Sequence, residues 1–358
     1  MDFLVINGPN LNLLGRREPE VYGSTTLDDL TALVEKWALT MDGSAICMQS
    51  NSESEIIDAI HGFTGDGIVI NPGAFTHTSH AIGDAIRGVP IPVVEVHISN
   101  VQEREPWRAV SLLSDACVRT IYGRGAVGYR DAMRHLINRS AVPCHTIRYG
   151  PHPDNVADLR PGGRDVVVFV HGGLWRQEYE RDTTESLAVD LNRRGMTTLN
   201  LEYRRLGRGG GWPGSGHDVL TALQNLRQLE IDRERVVGIS HSAGSYLLAW
   251  AAERSTTAME THIALAPILD LDASVAADDP CAQESAILLE AGAPPAVKPR
   301  QVPTEIVHGD KDQIVPVDHS VSISGRLGLP LHRTDSDHFS LLDPTKPEWA
   351  WVVDRLST

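Results

Sequence analysis

Cysteine, basic charge and long apolar stretches are all scarce in this sequence. Its 358 residues include four cysteines and no CxxC pair, so we expect neither a disulfide framework nor a zinc site, and a cytoplasmic protein. Lys and Arg number 32 against 47 Asp and Glu, a net charge of −15 with no basic block. This argues against nucleic acid or an anionic membrane surface as the main partner. No apolar run approaches the roughly 18 residues of a membrane span, and the first residues do not resemble a signal peptide.

The length suggests two domains, and the first 140 residues alternate apolar segments with amphipathic ones. This alternation predicts an α/β domain with a five-stranded parallel sheet in the flavodoxin-like order and a ligand site at the carboxyl ends of the strands. Thr26 is a predicted helix cap, and Ser52 with Glu55 forms a predicted capping box. The predicted strands are Phe3–Asn7, Ala45–Gln49, Gly67–Ile70, Pro92–Ile98 and Val118–Tyr122, and the predicted helices are Leu27–Leu39, Glu53–Gly62, Thr78–Ile86 and Val127–Ile137.

A second α/β pattern follows a change in composition at residues 141–164, which contain four prolines and three glycines. We therefore assign residues 1–141 to the first domain, 142–164 to a linker and the start of the second, and 165–358 to the second. The halves share a fold class but no motif. The second-domain strands are predicted at Val166–Val170, Thr197–Glu202, Arg235–Ile239, His262–Leu265, Thr304–His308 and Leu329–Thr334, and the helices at Thr183–Arg194, Asp218–Leu229 and Ala243–Glu253.

Polar residues follow the first-domain strands in places where a structural role does not require them. Asn10 follows the first strand, Asn71 the third, and Glu95 and His97 share one face of the fourth, where the carboxylate can orient the imidazole. Each has a plainer interpretation: Asn10 in a good turn, Tyr22 on the surface of its loop, and His97 as a satisfied histidine. Their convergence on one crevice favours a functional site.

Residues 1–137 resemble type II 3-dehydroquinate dehydratases in the motifs INGPNLNLLGRREPEVYG, NPGAFTHTS, EVHISN and REPWR, in order and at family spacing. The resemblance implies loss of water from 3-dehydroquinate to give 3-dehydroshikimate, without a metal or cofactor. Removing a proton next to a ketone needs a base, a stabilised enolate and an acid. The roles that the resemblance implies are Tyr22 as base, Arg17 as its compensating charge, Asn10 as holder of a water at the enolate oxygen, His97 as acid, and Asn71, His77, Ile98, Ser99 and Arg108 as the substrate pocket.

A free tyrosine has a pKa of about 10, so a phenolate at pH 7 costs about 4 kcal/mol, which explains the need for a neighbouring arginine. By the same resemblance, Asp84 reaches the site of a neighbouring subunit, because the family assembles as dodecamers of trimers. Two departures concern packing or assembly more than catalysis. Ala109-Val110 stand where the family commonly has two histidines, and Gly123-Arg124-Gly125 stand where it has Gly-Leu-Gly.

The second domain contains HGGLW at 171–175 directly after a strand, SHSAG at 240–244 between a strand and a helix, HGDKD at 308–312 and DHF at 337–339. The order Ser, Asp, His is that of α/β-hydrolases. About residues 145–358 resemble their esterase and arylformamidase (kynurenine formamidase) branch. The resemblance implies Ser242 as nucleophile, Asp312 as acid, His338 as base, and an oxyanion hole at Gly172, Gly173 and the Ala243 amide.

Several alternatives for this domain stay open. Ser240, which replaces the first glycine of GxSxG, is a rival nucleophile, and Asp310 is a rival acid. A small cap is expected at Ala273–Pro299. The domain is a hydrolase of an ester or N-formyl amide, or else a non-catalytic assembly or regulatory module.

Two weak signals are set aside. Residues 209–214 fit GxGxxG, but Pro213 and the missing ribose-binding acid favour a loop, and His77 with His80 is not expected to hold a metal. The sequence thus predicts a bifunctional homo-oligomeric enzyme, with small-molecule substrates and no cofactor.

Overall fold

The computed structural model describes residues 1–226 and 233–357, and the chain divides into two compact units, Met1–Ser140 and Ala141–Thr358. Each unit has its own sheet and its own apolar core. In the described part of the chain, no helix has both the length and the apolar character needed to cross a membrane.

The first unit is built on a five-stranded, entirely parallel sheet in the order β2-β1-β3-β4-β5. This confirms the predicted flavodoxin-like fold. Strands β1, β3 and β4 lie in the interior of the sheet and are almost wholly buried, which explains their near-continuous apolar sequences. The strands are β1 (Asp2–Asn7), β2 (Ser44–Gln49), β3 (Gly67–Asn71), β4 (Val93–His97) and β5 (Arg119–Tyr122).

Helices cover both faces of this sheet and enclose two separate apolar clusters. Leu30, Val34 and Met133 pack on one face, whereas Ile56 and Ile82 pack on the other. The parallel sheet therefore has helices on both of its faces, as a doubly wound sheet requires. The helices are α1 (Pro19–Tyr22), α2 (Leu27–Thr40), α3 (Glu53–Gly62), α4 (His80–Arg87) and α5 (Val127–Ala141).

The two predicted helix caps have different outcomes. Thr26 caps α2, with Asp29 completing a capping box. The box predicted from Ser52 and Glu55 is wrong, because the Ser52 side chain makes no capping bond. Ser50 takes both partners instead: its hydroxyl donates to the Glu55 carboxylate over 2.5 Å and accepts from the Ser52 amide over 2.9 Å.

The second unit is built on an eight-stranded sheet in the order β13-β12-β11-β10-β8-β9-β7-β6. Its first two strands, which lie in the Pro- and Gly-rich segment and were not predicted, run antiparallel to their neighbours, whereas the others are parallel. The sheet is that of an α/β-hydrolase. The strands are β6 (His145–Arg148), β7 (Val156–Arg160), β8 (Asp165–Val170), β9 (Thr197–Leu201), β10 (Arg235–His241), β11 (Thr261–Leu265), β12 (Thr304–Gly309) and β13 (Leu331–Thr334).

Helices of the second unit again cover both faces of the sheet. The central one, α8, has no exposed residue, which fits its uniformly apolar sequence. Helix α7 begins four residues earlier than the predicted Asp218, and the end of that prediction, residues 227–229, lies outside the described residues. The helices are α6 (Glu185–Arg193), α7 (Gly214–Asn225), α8 (Ala243–Ala252), α9 (Leu271–Ala277), α10 (Ala282–Glu290), α11 (Val317–Leu327) and α12 (Pro347–Leu356).

Candidate active sites

A cavity of about 670 Å³ opens at the carboxyl ends of β1, β3 and β4 in the first unit. Parallel strands end at the same edge of a sheet, so the polar residues that follow them meet there. Of the predicted site residues, Glu95 and Asp84 do not line the cavity. Those that do are Asn10, Arg17, Tyr22, Asn71, His77, His97, Ile98, Ser99 and Arg108.

Tyr22 stands at one side of this cavity with two arginines near it. Its hydroxyl oxygen accepts a hydrogen bond from Nη1 of Arg104 over 2.6 Å. The Arg17 guanidinium lies 6.0 Å from the centre of the Tyr22 ring, and its Nε donates to Glu18 over 3.2 Å. Arg104 is therefore the cation in direct contact with the hydroxyl. The sequence offered one signal for it, its place in the REPWR motif, but we assigned it no role.

His97 and Glu95 form a buried pair on β4. Nε2 of His97 lies 2.9 Å from Oε1 of Glu95, and the carboxylate is wholly buried. It also accepts hydrogen bonds from Thr76, Ser111 and Thr120. Burial raises the pKa of Glu95, but the hydrogen bonds from His97, Thr76 and Ser111 outweigh it and lower that pKa overall. A carboxylate anchored in this way fixes the orientation of the imidazole.

Asn71 is fixed by a buried network. Its side-chain amide donates to the Tyr129 hydroxyl over 2.9 Å, and that hydroxyl donates to Asn7 over 2.7 Å. Asn10 has a left-handed backbone, and its amide donates to Asn51 over 3.0 Å. Both residues line the cavity and are held there by these contacts, which come from Tyr129 on α5 and from Asn51 after β2.

His77 and Arg108 stand at the rim of the cavity, on either side of Trp107. The His77 ring packs edge-on against Trp107 at 4.9 Å, and its Nδ1 lies 2.6 Å from the Val110 carbonyl oxygen. The Arg108 guanidinium stacks on the same indole at 4.1 Å and donates to Glu105 over 2.7 Å. Val110, one of the two departures from the family pattern, thus holds the rim histidine through its backbone.

Asp84 is exposed on α4 and pairs with Arg87 over 3.3 Å. This exposure leaves it available to a second copy of the chain but gives it no contact with the cavity of its own unit. Arg124, the other departure, is a buried side chain that pairs with Asp131 over 3.2 Å.

In the second unit, Ser242 occupies the turn between β10 and α8. Its backbone is left-handed, with φ 51° and ψ −123°, a strained conformation for a residue with a side chain. This is the sharp strand–turn–helix geometry predicted for it. Ser240, the rival, is buried within β10, where its hydroxyl lies 2.6 Å from Nε2 of His262 and 2.8 Å from the Ser245 hydroxyl.

His338 and Asp312 form a hydrogen-bonded pair in this site. Nδ1 of His338 lies 2.6 Å from Oδ2 of Asp312, which leaves Nε2 for the cavity that His338 and Ser242 both line. The carboxylate also receives the Ile314 and Val315 amides and lies 3.2 Å from buried His308. Burial raises the pKa of Asp312, but its hydrogen bonds to His308 and His338 outweigh that and keep it far below its ordinary value. The rival Asp310 pairs instead with exposed Arg333 over 2.8 Å.

The loop after β8 carries Gly172 and Gly173 to the same cavity, beside Ser242. A side-chain carbon at Gly172 would come within 2.8 Å of the Ser242 Cβ, so only glycine allows this approach. His171 braces the loop: its Nδ1 lies 2.8 Å from the Gly172 oxygen and its Nε2 lies 3.0 Å from Oε1 of buried Glu202. Glu202, which sequence reasoning missed, had no recognisable motif to identify it.

The cavity beside Ser242 has an empty volume of about 780 Å³ and mainly apolar walls. Leu174, Ile314, Phe339 and Leu342 contribute to them. Pro280, which lies between α9 and α10, also lines it, so the segment predicted as a small cap reaches the site. Across residues 1–226 and 233–357, no group of three or more His, Cys, Asp or Glu is placed to hold a metal ion.

Comparison with known proteins identifies relatives of each unit. Residues 1–137 match the family model described as dehydroquinase class II, and residues 159–277 match the one described as BD-FAE. Catabolic 3-dehydroquinase 1 of Neosartorya fischeri is 55% identical over 135 residues, 37% of this chain and 90% of that protein. The 3-dehydroquinate dehydratase of Shewanella woodyi is 54% identical over 140 residues, 39% of this chain and 94% of that protein.

For the second unit, a solved structure of phosphonate-inhibited esterase B from Lactobacillus rhamnosis superposes with a TM-score of 0.54. It is 16% identical and covers 64% of this chain and 90% of its own. A likeness at this identity shows a shared fold.

Proposed function

Because the chain belongs to the class II dehydroquinase family through residues 1–137, we propose that its first unit eliminates water from 3-dehydroquinate with Tyr22 as base and His97 as acid. The observation that carries this assignment is that Tyr22 and His97 line the same cavity. Tyr22 accepts a hydrogen bond from Arg104, and His97 is hydrogen-bonded to Glu95. A phenolate beside a cation is a base at neutral pH, and an imidazole anchored by a carboxylate can deliver a proton.

The reaction proceeds in two steps. The Tyr22 phenolate removes the proton from the carbon next to the ketone, and the electron pair of that bond forms an enolate, whose oxygen faces a water held by Asn10. The enolate then collapses to the ring double bond, and the hydroxyl on the next carbon leaves as water with a proton from His97. Arg108 and the Ile98–Ser99 backbone bind the carboxylate and hydroxyls, and Arg17 adds positive charge near the base.

Incubating the purified chain with 3-dehydroquinate and following the conjugated product by its ultraviolet absorbance tests this function. We expect turnover without added metal or cofactor. A folded, assembled protein that left the substrate unchanged would overturn the assignment. The same preparation, sized by light scattering, tests the proposal that the chain assembles as a homo-oligomer through this unit.

For the second unit we propose a serine hydrolase that cleaves an ester. Ser242 attacks the ester carbonyl, the amides of Gly173 and Ala243 stabilise the oxyanion, and His338 passes the Ser242 proton to the departing alcohol. Water then attacks the acyl-enzyme, releasing the acid and restoring Ser242. One observation carries this proposal: His338, hydrogen-bonded to Asp312, lines the same cavity as Ser242, whose backbone is strained.

A fluorophosphonate probe tests this second function, because it reacts with activated serines. We expect one adduct, on Ser242, and turnover of p-nitrophenyl esters, with N-formylkynurenine as the test of amide cleavage. Absence of both an adduct and turnover would favour a non-catalytic assembly or regulatory module.

A further inference from the structure

Arg176 is the feature of the second cavity that the proposed hydrolysis does not use. It follows the oxyanion loop directly, and among the described residues that line this cavity it is the one Arg or Lys, whereas none of them is Asp or Glu. The rest of the wall is mainly apolar or carries the proposed catalytic groups, and Tyr179, Thr183 and His241 add neutral polar side chains. In a chain of net charge −15, a cavity without acidic residues is a departure from the average surface.

The backbone fixes Arg176 with respect to the oxyanion loop. Leu174 and Trp175, which precede it, both have left-handed backbones, with φ 54° and 56°, and the Arg176 amide donates to the Gly173 carbonyl over 2.9 Å. Two consecutive strained residues persist only where the surroundings enforce them, and they often mark ligand sites. Trp175 enforces them here, because its side chain is wholly buried.

The Arg176 guanidinium is also held on its buried side by a carboxylate. Its Nε and Nη2 both donate to Oε1 of Glu284 on α10, over 2.6 and 2.5 Å. The Glu284 side chain is 6% exposed, whereas that of Arg176 is 43% exposed. The carboxylate therefore occupies one edge of the guanidinium on its buried side, and the Nη1 amino group is not used by this pair. A guanidinium whose orientation is fixed in this way can bind a second, planar anion such as a carboxylate.

We propose that the second unit hydrolyses esters of hydroxylated carboxylic acids, with the free carboxylate bound by Arg176 and the acyl group in the apolar part of the cavity. This inference rests on the proposed serine hydrolase function and adds its substrate class. Ester and water give the acyl acid and a hydroxy acid, whose alcohol oxygen takes the proton from His338. The freed hydroxy acid has the carboxylate and hydroxyls of the substrate proposed for the first unit but lacks its ketone. The hydrolysis therefore stands upstream of the dehydration only with an alcohol oxidation by a separate dehydrogenase between them.

The test compares two substrates that differ in one charge: cinnamoyl quinate, with its free carboxylate, and cinnamoyl quinamide, in which that carboxylate is a neutral amide. A charged hydrogen bond is worth about ten- to a hundredfold in affinity, so we expect the wild-type kcat/KM to favour the acid by about that factor, mainly through KM. Equal rates for the two substrates would overturn the inference.

Replacing both Arg176 and Glu284 by glutamine removes the cation without leaving a buried carboxylate unpaired, and should bring the ratio of the two rates close to one. Arg176→Lys keeps the charge but not the fork, and should retain part of the preference. Arg194→Gln, which removes an arginine paired with Asp190 on α6, should leave the ratio unchanged. A preference that survived the double replacement would remove Arg176 as the binding residue.

The outcome for this inference is separable from that for the hydrolase function. Turnover of p-nitrophenyl butyrate without any preference for the acid would refute the substrate class alone. Absence of turnover of every ester, together with no fluorophosphonate adduct, would refute the serine hydrolase itself.

Discussion

Replacing Arg104 by glutamine tests how the proposed base of the first unit is kept ready at neutral pH. The replacement removes the cation whose Nη1 lies 2.6 Å from the Tyr22 hydroxyl. Glu18 and Glu105, at 3.8 and 3.6 Å from the same guanidinium, would then be compensated only by Arg17 and Arg108. Both changes disfavour the phenolate, so the rising limb of the pH profile of kcat/KM should move to higher pH.

The size of the effect on kcat/KM follows from the hydrogen bond between Arg104 and Tyr22. A hydrogen bond to a charged group contributes about 1.5–3 kcal/mol, and about 1.4 kcal/mol corresponds to one pH unit. Because the Arg104 side chain is 14% exposed, solvent screens little of this. We therefore expect a loss of about ten- to a hundredfold in kcat/KM at pH 7, and a smaller loss at higher pH.

The measurement is the dehydratase rate from pH 5 to pH 10 for the wild type, Arg104→Gln and a control, Arg130→Gln. Arg130 pairs with Asp131 on α5 over 3.1 Å but does not line the cavity. The control should keep the wild-type profile. If Arg104→Gln lowered the rate equally at every pH, Arg104 would act on the substrate and the argument about the base would be refuted.

Four further changes separate the proposed roles. Tyr22→Phe should abolish dehydration with an unchanged circular dichroism spectrum, and residual activity above about 1% would identify another base. Ser242→Ala should abolish fluorophosphonate labelling while dehydration continues; labelling that persists would point to a different serine. Asp312→Asn should lower ester kcat by about 10³- to 10⁴-fold, and a loss of less than tenfold would exclude it as the acid. Burial lowers the pKa of His262 to about 3, whereas an unfolded histidine titrates at about 6.5. The free energy of unfolding therefore decreases as the pH falls between these two values, by about 2 kcal/mol at pH 5. Urea unfolding of His262→Gln should show a shallower fall between pH 7 and pH 5, and an identical slope would contradict this.

The sequence predicted the site residues that follow strands better than those that reach in from loops. Asn10, Asn71 and His97 follow or end parallel strands, so their convergence follows from the sheet order alone. The contact between Arg104 and Tyr22 joins residues 82 positions apart, one at the end of the short helix α1 and one in the segment after β4. The paths of such segments depend on tertiary packing that strand patterns do not encode. The recognition of the class II dehydroquinase family from its motifs is confirmed. For the second unit, the match of residues 159–277 to BD-FAE and the superposed esterase agree with the predicted α/β-hydrolase fold.

Other features escaped prediction for local reasons. Strands β6 and β7 lie among prolines and glycines, where composition indicates a linker, and their pairing with β9 depends on a distant strand. The failed capping box has a similar cause: Ser50, just before the motif, competes for both of its partners. Short motifs predict a bond only when no better partner stands nearby.

The turn around Ser242 explains which part of its motif evolution could change. At Gly244 a side-chain carbon would fall 2.3 Å from the His171 oxygen and 2.4 Å from the Val170 oxygen, so that position admits no other residue. Ser240, at the opposite end of the motif, has room for its hydroxyl and bonding partners for it in His262 and Ser245. A genome search that demands glycine at both ends would pass over sequences of this kind, whereas one that fixes only the last glycine would retrieve them.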